Sequence, residues 1–163
     1  MVNLNKNILF CFFIMLFSCA SQNVDENVLS QSSFNSALEN FKNEKYTKAK
    51  DEFMNIIYDN PLSEHIYDCQ FYIAECEYNL NNYKQAIVEY SKYLRSNYKR
   101  VSFTIKSELM LCRCHYQLSL DYNKDQSATY IALEKLQYYI EKETLKDYRN
   151  EISNMIKDLR NKL

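Results

Sequence analysis

FYIAECEYNLNNYKQAIVEYSKYLRSN, residues 71–97, reads as two amphipathic helices joined by a polar turn at Asn81-Asn82. In the second helix Tyr83, Ala86, Ile87, Tyr90, Tyr93 and Leu94 recur at steps of three and four, which places them on one face of a 3.6-period helix. Small Ala74 and Ala86 stand where two helix backbones would approach closely. The pattern returns on both sides, so internal repetition governs the whole chain. Upstream, Tyr46, Ala49, Phe53 and Ile56 precede Tyr83, Ala86, Tyr90 and Tyr93 by 37 residues each. Downstream, LMLCRCHYQL (109–118) lies on FYIAECEYNL (71–80) at an offset of 38. Ala132, Leu136 and Tyr139 follow Ala86, Tyr90 and Tyr93 at 46, with the extra residues falling around SLDYNKDQS.

These offsets predict three helix pairs, each an A helix and a B helix. Asn60-Pro61 ends the first pair, because proline disfavours helix before itself and cannot extend one. Asp125 or Ser127 can cap the third B helix. Tyr148, Ile152, Met155, Ile156 and Leu159 keep helical spacing within 145–163, which predicts a closing helix over the last apolar face.

Composition narrows the function classes. The 163 residues contain no Gly, one Pro and fifteen Tyr. Phosphate loops and dinucleotide fingerprints need glycine at positive φ, so they are excluded. Lys+Arg 20 against Asp+Glu 21 leaves a net charge of −1, no basis for general nucleic-acid binding. Cys69, Cys76, Cys112 and Cys114 lie in helical patterns without paired metal-ligand spacing. Cys112 and Cys114 point about 200° apart on a helix. They read as buried thiols, with a Cys76–Cys114 disulfide as an alternative in an oxidising compartment. A thiol enzyme or metal protein built on these four is the remaining catalytic alternative. His65 and His115 have no spaced partner and read as packing or surface residues. The residues therefore argue for binding, not catalysis, with no metal and no cofactor.

At the N-terminus, MVNLNKNILFCFFIMLFSC (1–19) carries a positive start and an apolar run from Ile8 to Phe17. About 15 Å of helix cannot span a hydrocarbon core of roughly 30 Å, so a secretory signal is expected. Leu16-Phe17-Ser18-Cys19 resembles a bacterial lipobox. That likeness implies a signal peptide over 1–18 and a covalent lipid on Cys19; the polar run that follows reads as a tether over 19–30, and the repeats give a helical domain over 31–163. With Ala20 after the cysteine, it also implies an outer-membrane anchor facing the periplasm.

The helix pairs resemble the tetratricopeptide repeat over residues 31–142, on Tyr46/Ala49/Phe53/Pro61 and Tyr83/Ala86/Tyr90. The expected fold is all-α, a right-handed solenoid of three helix pairs with a C-terminal capping helix. On that spacing, Asp68, Phe71, Glu75, Tyr78 and Asn79 of the second A helix face a concave groove. Lys106, Leu109, Arg113, Tyr116 and Gln117 of the third join them. Rings flanked by amides suit an extended peptide; packing between helices is the equal alternative for Tyr78 and Tyr116.

The lipobox, the run 60–94 and the run Asp125-Gln126, Thr129-Tyr130, Ala132, Leu136-Gln137 with Leu159-Arg160 and Lys162-Leu163 together resemble the BamD (YfiO) family. These are lipoproteins of the outer-membrane β-barrel assembly machinery. The resemblance implies a non-catalytic scaffold at the outer membrane that binds unfolded outer-membrane proteins and a BamA-type barrel subunit. The chain departs in having three repeats where about five are usual. A generic tetratricopeptide lipoprotein of another envelope or division complex is the second reading.

Overall fold

The computed structural model describes residues 26–120 and 126–163, and these form seven α-helices and one 3-10 helix with no strand among the described residues. The first pair is α1 (Glu26–Lys42) and α2 (Tyr46–Asp59), and the second is α3 (Ile66–Asn79) and α4 (Tyr83–Arg95). The third is α5 (Val101–Leu120) and α6 (Ser127–Ile140), followed by η1 (Glu143–Tyr148) and α7 (Arg149–Arg160). Each helix packs on its predecessor and its successor, and α3 also touches α5. The expected all-α solenoid of three pairs and a closing helix is the architecture found.

Three cores follow the repeat, each built from an A–B pair and the next element. The first joins Phe34, Ala37, Ala49, Phe53 and Ile56 to Cys69, Ile73 and Cys76 of α3. The second joins Phe71, Ala74, Ala86, Tyr90 and Tyr93 to Met110, Leu111 and Cys114 of α5. The third joins Leu109, Cys112, Ala132, Leu133 and Leu136 to Leu145, Ile152, Ile156 and Leu159. Positions 37, 74 and 112 hold Ala, Ala and Cys, all with no exposed surface, because the A and B backbones pass closest there. A second repeated device stacks each A helix on the start of the next. Phe34 lies on His65 at 4.4 Å between ring centroids, and Phe71 lies on Phe103 at 4.0 Å.

Some boundaries differ from the sequence expectation. α1 begins at Glu26, inside the segment read as tether, and Ser30 is buried with its hydroxyl 2.7 Å from that of Ser63. The signal, the lipobox and Cys19 lie outside the described residues, as does Asp125. The N-cap of α6 is Gln126, without a side-chain cap bond. The closing segment is not one helix, since Glu143–Tyr148 is 3-10 and Tyr148 is 36% exposed. Leu145, ahead of it, takes the buried place.

The turns inside the first two pairs solve a glycine problem without glycine. Glu44 and Asn81, 37 apart, both adopt left-handed φ, 59° and 61°. Around them Lys45 N–H donates to Asn40 O and Asn82 N–H to Glu77 O, both at 2.9 Å, closing the A helices as Schellman motifs. A left-handed residue with a Cβ costs about 1–2 kcal/mol, and less for asparagine. Glu44→Gly is therefore expected to raise the melting temperature by about 3 °C. Asn81→Gly should gain less, because Asn81 also accepts a hydrogen bond from Tyr83 OH at 2.6 Å. A lowered melting temperature for Glu44→Gly in a calorimetric scan would contradict this account.

Candidate peptide-binding face

The A helices present the face on which the repeat spacing placed a groove. α3 and α5 meet along it through a ladder of ion pairs. Asp68 Oδ2 is 2.5 Å from an Arg100 guanidinium nitrogen, and Glu75 Oε2 is 2.6 Å from Lys106 Nζ. Both carboxylates are buried, while both cations remain largely exposed. Glu75 also accepts the Tyr90 hydroxyl at 2.6 Å. Lys106 and Arg100 lie over the Phe71 and Phe103 rings at 5.5 and 5.6 Å, so each cation roofs the aromatic stack. Further along, Arg113 grips Glu151 of α7 through two nitrogens at 2.7 and 3.2 Å. Tyr116 OH donates to Asp158 at 2.7 Å. Glu108 accepts Lys142 and, at 2.6 Å, the Thr144 hydroxyl.

Burial and charge set the proton affinities here. Loss of hydration raises the Asp68 carboxyl pKa, with Arg100 acting against it. Burial, then the neighbouring Glu75, pushes the Tyr90 phenol far upward. The hydrogen bond to Glu151 raises the Arg113 pKa, and that to Asp158 raises Tyr116. Among the described residues no group of three His, Cys, Asp or Glu could hold a metal ion.

The expected groove residues thus divide. Phe71 and Leu109 are 1% and 4% exposed and belong to the cores, so they line no open groove. Asp68 and Glu75 are buried and spent on Arg100, just ahead of α5, and on Lys106 of α5. Lys106 and Arg113 keep reachable surface while paired. Half-buried Tyr78, Tyr116 and Gln117 and exposed Asn79 remain at the face. Tyr78 packs edge-on against Tyr83 at 5.4 Å, and Asn79 donates to Glu75 O at 2.7 Å. Spacing alone missed the partners of Asp68 and Glu75. Aligned by the 38-residue offset, Asp68 and Glu75 fall on Lys106 and Arg113, and that charge reversal was the available signal.

The thiols are structural. All four described cysteines are free and buried. Cys76 sits in the first core and Cys114 in the second, so a disulfide between them does not form. Burial pushes each thiol up to about 12. The folded chain therefore keeps protons that the unfolded chain loses above about 9. Stability from this source is complete below that pH and is lost as the pH rises from about 9 to about 12. At pH 8 these four should react with a thiol reagent only after denaturation, and rapid native labelling would refute their burial. His65, 9% exposed, stacks on Phe34 and bonds Gln31 at 3.0 Å, a packing role as expected.

No family model matches the chain, and no curated protein matches it. A solved structure similar to it is the type III secretion chaperone SycD of Yersinia enterocolitica in complex with a peptide of the translocator YopD. The TM-score is 0.56 at 17% identity, over 86% of this chain and 98% of that chain. A second SycD structure, in an alternative dimer, aligns at a TM-score of 0.48 and 15% identity over the same shares. The first likeness shows the fold.

These findings overturn the resemblance to the BamD family. The solved structure that shares the fold is a secretion chaperone, so the β-barrel assembly role, the BamA-type subunit and unfolded outer-membrane proteins as partners, and the outer-membrane location are withdrawn. The lipoprotein and envelope-complex reading falls with them. The physical reason lies in the motifs themselves. Thr129, Ala132 and Leu136 are buried, so they report helix packing that any such solenoid requires. None of the described helices is long and apolar enough to cross a membrane.

Proposed function

We propose that this protein is a non-catalytic, chaperone-type binding module that holds an extended segment of a partner polypeptide against its A-helix face. The observation that carries the reading is the tetratricopeptide-like fold itself, shared with a chaperone solved with a bound peptide. The face supports it chemically. Tyr78 and Tyr116 offer ring area, Asn79 and Gln117 offer amides for a peptide main chain, and Lys106 and Arg113 offer cations already held in place by ion pairs. Because those cations are positioned within the fold, little side-chain freedom is lost on binding.

A random-peptide display library panned against the full chain tests this. Enriched peptides should bind the chain and lose at least about tenfold in affinity to the variant Tyr78→Ala/Asn79→Ala/Gln117→Ala, a cost of about 1.4 kcal/mol. Asn79 and Gln117 lie outside the cores and Tyr78 packs only at the edge of the second, so the variant should keep its helical circular dichroism. An absence of enriched peptides, or equal binding to the folded variant, would reject the reading.

A further inference from the structure

On the side of the B helices, one seam is formed by α2, α3 and α4 and the next by α4, α5 and α6. The repeat offsets make Lys50, Met54 and Glu77 of the first seam equivalent to Ile87, Ser91 and His115 of the second. In the first, Lys50 Nζ bridges the helices by donating to Glu77 at 3.2 Å. In the second, an aliphatic chain and an imidazole replace that ion pair, and serine replaces methionine. A cavity of about 450 Å³ lies there, with Ile87, Ser91, Leu111, His115, Tyr138 and Tyr139 in its lining. That volume falls in the range of ligand pockets, about 300–1,000 Å³.

Its chemistry narrows the occupant. Leu111 is buried, Tyr139 is partly buried, and with Ile87 they make an apolar, aromatic wall. Half-buried His115 makes no hydrogen bond among the described residues. Burial, then the Lys135 charge, lowers its pKa, so the ring is neutral at pH 7 and offers an acceptor nitrogen. The two charged residues in the lining, Glu134 and Lys135, neutralise each other at 2.9 Å, which disfavours a charged guest. At the mouth Tyr138 of the lining is 62% exposed, an apolar rim that continues outside the cavity. His115 is two residues from Arg113, about 200° around α5, so this site is separate from the A-helix face.

We propose that this cavity is a docking pocket for a tyrosine side chain of a partner polypeptide, its ring against Ile87, Leu111 and Tyr139 and its hydroxyl donating to His115. The rim receives the residues that flank the tyrosine. The site stands or falls independently of peptide binding on the opposite face.

Proton–carbon NMR of the full chain, following the His115 ring and the Ile87 methyl groups, tests the assignment. The probes are p-cresol, toluene and a blocked Ala-Ala-Tyr-Ala-Ala peptide. p-Cresol should shift both signals with a Kd of about 1 mM. Toluene, which cannot donate, should bind about tenfold more weakly. The peptide should bind more tightly than p-cresol by engaging the rim. The double variant Ile87→Lys/His115→Glu, which installs the first seam's ion pair, should abolish binding with its thermal unfolding preserved. If that variant does not fold, His115→Leu decides, since it should erase the preference for p-cresol over toluene. Absent shifts, toluene binding as well as p-cresol, or a preference unchanged in His115→Leu would overturn the pocket. p-Cresol binding more tightly than the peptide would overturn the polypeptide occupant.

Discussion

Phe71→Ala is expected to cost about 3–5 kcal/mol, the range for emptying a fully buried aromatic site. Phe71 is 1% exposed, stacks on Phe103 at 4.0 Å and meets Tyr72 and Tyr93 edge-on. It joins α3 to both α4 and α5, so the loss falls on the central seam of the array. Urea unfolding should show a lower midpoint, and a lower slope as well if the terminal parts come apart separately. A loss under about 1 kcal/mol would mean that Phe71 is replaceable packing, within the range of ordinary substitutions, and would refute the central-seam account.

The second large effect concerns Glu75. Replacement by leucine leaves the Tyr90 hydroxyl without an acceptor inside a core where Tyr90 has no exposed surface. An unsatisfied buried polar group costs about 1–3 kcal/mol, and Lys106 loses its partner as well. The partly exposed Lys106 returns to water, so the phenol dominates the cost. The double variant Glu75→Leu/Tyr90→Phe should therefore recover most of the stability, because both ends of the hydrogen bond become apolar together. Additive losses in the cycle would show that Glu75 and Tyr90 do not act as a pair.

These two residues also mark where the chain could be read and where it could not. The 37-residue offset found Ala49/Ala86 and Phe53/Tyr90, and all four have no exposed surface. Such positions are legible because apolar periodicity is imposed by burial itself. Spacing points Phe71 and Glu75 toward a groove because it gives the direction of a side chain and not the height of what packs above it. In the first repeat the place of Glu75 is held by Leu38, an apolar residue, which already indicated a covered site. The family-level reading failed for a related reason. Thr129, Ala132, Leu136 and Leu159 of its motifs are core positions, and core positions specify a fold shared by proteins of different function. The positive φ at Glu44 was invisible because an absence of glycine suggests an absence of such turns, whereas a Schellman motif tolerates other residues at a cost.

The distribution of thiols gives this solenoid a built-in clock for its own breathing. Cys69 and Cys76 belong to the first core, Cys114 to the second and Cys112 to the third. A linear array can open from either end, each seam with its own free energy, instead of melting as a block. Under mildly destabilising conditions, the order in which the four sulfurs become labelled, read peptide by peptide in a mass spectrometer, would rank the seams without any engineered probe.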